Sequence, residues 1–278
     1  MVLELLINPK KVQGKAWEMY FIGFVYSFVA VFLSMWIFKG YASIVMVTLT
    51  VVASVPFVHS VIELEEKKDI AIKKERSLLK EHSKAISIFI YLFLGFVTSF
   101  GLLYLILPAE IIQSVFSAQI ETIIAVNPNA PVGNFISDLN ALSSILFNNL
   151  KILFFCIAFS FFYGAGAIFI LTWNASVMAT AIGSFIKSNL LHVASAAGYL
   201  QITSLGLLRY LLHGIPEIIA YFIGGLASGI ISFAVIKHDI HGKIFNRILL
   251  DATDMILISV VILIIAALIE MFVVPMII

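Results

Sequence analysis

A single cysteine, Cys156, stands among the 278 residues. An intramolecular disulfide is therefore excluded, and a thiolate metal centre has no ligand set to draw on. Charge is scarce as well: Asp, Glu, Lys and Arg make up 12% of the chain, against about 25% in soluble domains. The net charge of +1 provides no basic field, so no nucleic-acid partner is expected. Catalytic motifs are missing too. There is no HExxH, no Walker loop and no GxSxG, and at Ala227-Ser228-Gly229 a leucine precedes the triplet where a glycine is needed. The chain is expected not to be an enzyme and to carry no cofactor and no metal.

What is present is apolar. Hydrophobic residues make up 62% of the chain and the mean hydropathy is +1.09. A globule of this size cannot hide that many apolar side chains, so lipid must be their solvent. The fold class expected is all-α, a polytopic membrane helical bundle of about six transmembrane helices. Clear spans lie at 17–38, 41–62 with a kink at Pro56, 85–107, 149–172, 211–236 and 254–274. The first of these reads as a retained helix, not a cleaved signal.

The connections differ in character. Residues 63–84 are densely charged with both signs and predict a helix extended into water, laced by ion pairs. Residues 108–145 include an amphipathic surface helix over 110–126 and a turn cluster at 127–131. The 173–210 region is apolar but scattered with Asn174, Lys187, Asn189, His192, Gln201 and Arg209. It predicts one crossing at 190–209 after an interfacial helix, or a re-entrant pair. Two domains are expected: 1–84, a transmembrane hairpin with its charged helix, and 85–278, a membrane domain with an outer loop.

Lys and Arg set the orientation. Lys10, Lys11 and Lys15 precede the first span, seven Lys/Arg lie in 63–84, and Lys237, Lys243 and Arg247 follow 211–236; residues 108–145 have none. The chain is thus expected in the cell membrane as a multi-pass protein, N-terminus cytoplasmic and C-terminus outside. The 173–210 region must then cross an odd number of times.

Two stretches carry a resemblance. NNLKILFFCIAFSFFYGAGAIFILTWNASVMATAIG at 148–183 and HGIPEIIAYFIGGLASG at 213–229 together resemble the stage II sporulation protein M family. Asn148, Asn149, Gly164, Gly166, Asn174, Gly183, His213, Gly214, Glu217, Gly224 and Gly229 fit its pattern, whereas Ala175 replaces a frequent glycine. The resemblance implies a family domain over 85–275, with the 17–62 hairpin as an addition. It also implies a membrane scaffold, since the bacterial member that names the family supports cell-wall-degrading proteins during engulfment.

The candidate polar site comprises Glu217, His213, Glu270, Arg209, Asn148 and Asn174. Glu217 follows Pro216, a good first-turn residue, so a helix is expected to begin at about 214–216. Glu217 would then either cap a membrane helix or line a polar pocket with His213 and Glu270. Gly164, Gly166, Gly224, Gly225, Ser228 and Gly229 are expected to pack helices closely. Two functions remain in view. One is a scaffold or assembly component, docking a protein partner at the 63–84 helix or the 108–145 loop. The other is a small transporter or channel subunit around Glu217, in which a pore would need a homo-oligomer.

Overall fold

The computed structural model describes residues 15–71, 78–126, 135–163, 165–190 and 195–277. Lys10, Lys11, the 127–131 turn cluster, Gly164 and His192 lie outside the described residues, as does the middle of the charged linker at 72–77.

Among the described residues the chain is helical, without strands. The helices are α1 (Glu18–Ile37), α2 (Ala42–Ala71), α3 (Leu78–Ile106), α4 (Ala109–Val115), α5 (Ser117–Val126), α6 (Phe135–Tyr163), α7 (Ala167–Leu190), α8 (Ala196–Lys237), α9 (Lys243–Leu268) and α10 (Val274–Ile277). A 3₁₀ turn at Lys39–Tyr41 joins α1 to α2, and a π-helical turn at Ile269–Val273 joins α9 to α10. Seven helices, α1, α2, α3, α6, α7, α8 and α9 with its continuation, are long and apolar enough to cross a bilayer. Helices meet the demand that every backbone polar group in lipid be satisfied within its own segment. Buried hydroxyls follow the same rule. Ser27, Thr50, Ser54, Thr172 and Thr180 each donate to the carbonyl four residues back, at 2.7–2.8 Å.

The bundle expected from composition forms, but its divisions differ. The span expected at 149–172 ends at Tyr163, and α7 restarts at Ala167. Glycine is the reason. A Cβ on Gly166 would lie 2.2 Å from the Phe159 carbonyl oxygen, so only glycine lets the chain turn back there. The hydroxyl of Ser160 accepts from the Ala167 N–H at 3.2 Å and caps the new helix. Consequently the described residues of 173–210 form neither an interfacial helix nor a re-entrant pair. Its first half completes α7, a full-length span, and its second half is absorbed into α8.

α8 runs unbroken for 42 residues through Pro216. At 1.5 Å per residue it is about 63 Å long, roughly twice the hydrocarbon thickness. The expected helix start at 214–216 does not exist, because a membrane helix tolerates an internal proline when its neighbours hold it straight. Gly206, Gly214 and Gly225 pack on Phe185, Met178 and Ala167 respectively, so α7 and α8 are antiparallel. Leu153 meets Gly224 while Ile157 meets Ser228, so α6 and α8 run parallel.

The N-terminal hairpin packs closely on the rest. A Cβ on Gly95 of α3 would lie 2.2 Å from the Tyr20 carbonyl oxygen of α1. One on Gly23 would lie 2.4 Å from the Leu92 carbonyl oxygen. The expected surface helix over 110–126 is instead two short helices bent at Phe116. They sink into the bundle: Val115 and Phe116 are fully buried, with Phe116 edge-on to Tyr104 at 5.2 Å.

Candidate functional site

Continuity of α8 decides the geometry of the site. On an unbroken helix, residues four apart share a face. Arg209, His213, Glu217 and Tyr221 therefore form one polar ladder leading into the Gly224–Ser228 crossing.

The ladder meets α6 at Asn149. The Asn149 side-chain amide Nδ2 donates to the Glu217 carboxylate Oε1, and the Tyr221 hydroxyl donates to Asn149 Oδ1 at 3.2 Å. Asn149 and Tyr221 are buried, and Glu217 is partly so. The fourth member comes from α9. Glu270 sits, partly buried, in the π-helical turn, which packs against α8. Turns of this kind recur at functional sites because they re-aim a side chain within a helix.

The other expected residues stand apart. Asn148 is partly exposed, and its neighbour Asn149 makes the bond to Glu217. Asn174 donates to the Ile170 carbonyl of its own helix at 3.0 Å. Arg209 lies over the rings of Phe185 and Tyr210, at 5.6 and 5.8 Å, two turns from Glu217. The Nδ1 of His213 is buried without a well-formed hydrogen bond, in loose contact with the Arg209 carbonyl.

Below the ladder, small residues of α8 face α6 and α7. A Cβ on Gly224 would lie 2.5 Å from Leu153 Cδ1, and one on Gly225 2.7 Å from the Ala167 Cβ. Gly229 is buried. The Ser228 hydroxyl donates across to the Ile157 carbonyl at 2.7 Å. α6 and α8 are thus joined by side-chain hydrogen bonds at two depths.

A second polar assembly lies at the charged end, where α2 leaves its apolar stretch. Glu65 and Glu66 are fully buried, contrary to the expected water-facing helix. The Glu65 carboxylate pairs with Lys68 and, at 2.9 Å, with His82 of α3. Glu66 pairs with His238 at 2.7 Å and with Lys237 at 3.4 Å, beyond the end of α8 and at its last residue. Lys237 also reaches Glu63 at 3.1 Å. Removing one partner from a buried pair strands the other charge, which is why three helices meet there so tightly.

A third lies at the opposite end. Gln119 of α5 is fully buried, and its amide donates to the Ser43 carbonyl and to the Ser176 hydroxyl, both at 3.2 Å. These bonds pin the loop to α2 and α7.

A sequence model of the family described as stage II sporulation protein M matches residues 88–275, more than half of the chain. The chain belongs to the stage II sporulation protein M family. No curated protein and no solved structure gives a significant match. Asn149, Glu217, Tyr221 and Glu270 all fall within the family segment, whereas α1, α2 and the Glu63–Glu66 acids precede it. Tyr221 is absent from the sequence reading, although its four-residue spacing from Glu217 puts both on one helix face. Gln119 sits in a short apolar stretch with no motif to announce it.

Proposed function

We propose that this stage II sporulation protein M family member is a small transporter or channel subunit that binds a proton or small cation at Glu217. Support comes from one arrangement: a carboxylate within the bundle, held by Asn149, with a second acid, Glu270, on a π-helical turn packed against the same helix. Ionisable groups inside membrane proteins mark ion pathways or proton relays. The reading makes the chain a non-enzyme. Its size favours a pore or path completed by a second copy. In the orientation set by Lys and Arg, Glu217 lies toward the outer face.

The test is flux in liposomes under imposed pH, sodium or potassium gradients. The Glu217→Gln variant is expected to fold, reconstitute and lose flux. Flux at the wild-type level in that variant would remove Glu217 from the path. Absence of flux from the wild-type protein under all three gradients would refute the transport reading.

The scaffold role implied by the family resemblance is the second reading. It is favoured by the charges left exposed at the charged end, Lys67, Asp239, His241 and Lys243. A scaffold should keep its partner in pull-downs with Glu217→Gln and lose it when these charges are reversed.

A further inference from the structure

The Glu217 site has a hydrogen-bond direction, and its ionised carboxylate sets it. A primary amide has an accepting end and a donating end, whereas an ionised carboxylate only accepts. Asn149 can therefore serve ionised Glu217 in one orientation alone. Turned over, it would aim Oδ1 at the carboxylate, acceptor against acceptor. The ionised carboxylate thus draws Nδ2 toward itself and leaves Oδ1 to the Tyr221 hydroxyl, which donates to it at 3.2 Å. Tyr221 is 1% exposed and Asn149 5%, so the bond between them is shielded within the bundle.

We propose that Asn149 is the positioning residue for Glu217 and that the Tyr221 hydroxyl holds the far end of its amide. The relay runs from hydroxyl to amide to carboxylate across two parallel helices. It explains why a tyrosine, and not a phenylalanine, stands one turn below Glu217 in an otherwise apolar stretch. The other acid near this relay is Glu270, on the π-helical turn packed against α8. The proposal rests on the reading of Glu217 as an ion- or proton-binding group, and adds what aims it.

The test is infrared spectroscopy of the full-length protein in lipid, with Glu217→Gln used to assign the carboxyl bands of Glu217. Tyr221→Phe is expected to move those bands in the direction of a weaker hydrogen bond, and Asn149→Leu to move them further the same way. Both variants should also reduce flux while the bands of other carboxyl groups stay in place. Unmoved Glu217 bands in a folded Tyr221→Phe protein overturn the role of Tyr221. Should that variant not fold, Asn149→Leu carries the test, and unmoved bands there overturn the relay. The infrared result does not depend on flux, so this proposal and the transport reading can fail separately.

Discussion

Two glycines six residues apart on α3 should respond in opposite directions to the same substitution. A Cβ at Gly95 would lie 2.2 Å from the Tyr20 carbonyl oxygen and 2.7 Å from the Phe24 nitrogen. These are backbone atoms of α1 and cannot rotate away, so α1 must retreat by over an ångström. At Gly101 the nearest atom, the Ala179 carbonyl oxygen, is 3.9 Å away, which is ordinary contact. Replacing a helical glycine by alanine gains about 0.5–1 kcal/mol when nothing is touched. Overpacking a close contact costs about 1–3 kcal/mol, and a backbone obstacle puts Gly95 at the upper end. Gly101→Ala is thus expected to stabilise by up to about 1 kcal/mol. Gly95→Ala should destabilise by about 2–2.5 kcal/mol net of that same gain. Unfolding from mixed micelles by added denaturing detergent measures both. Trp17 and Trp36, which flank and end α1, report its departure by fluorescence. A Gly95→Ala protein as stable as Gly101→Ala would refute the close approach of α1 and α3.

The buried pair at the charged end should be far more sensitive than a surface pair. Glu65→Ala is expected to cost about 3–5 kcal/mol by stranding its partners, whereas Glu18→Ala, in an exposed pair with Lys15, should cost under about 1 kcal/mol; the same unfolding titration compares them. Cys156 is fully buried, so a membrane-permeant maleimide should leave the folded protein unlabelled and label it on denaturation. Gln119→Ala removes both bonds that pin α5, and hydrogen exchange should accelerate across Ala109–Val115 and Ser117–Val126 while α3 and α7 keep their protection.

The sequence made the bundle legible because apolar runs of spanning length report the solvent directly. It misplaced the divisions where one residue type has two meanings. Pro216 can open a helix or ride inside one, and only the helices packed around it decide. Gly164 and Gly166 were read as packing residues, yet Gly166 stands at the turn between α6 and α7. Similar depth along the chain is what groups Glu270 with Glu217. Its partners Asn149 and Tyr221 depended on the register of α6 against α8, which no local pattern encodes. The Glu65 and Glu66 contacts were missed for a similar reason: charges just past an apolar run look solvated until a second helix arrives to cover them.

The ties between the hairpin and the family segment also constrain synthesis. Glu66 is made 172 positions before His238, the residue that pairs with it. Gly23 waits for α3, and the Ser43 carbonyl waits for Gln119. A nascent chain that has inserted only α1 and α2 therefore holds acids and a bare glycine groove that nothing yet covers. The hairpin enters the membrane first and is finished last, so a chain truncated before α8 should be recognised as incomplete however well its early helices insert.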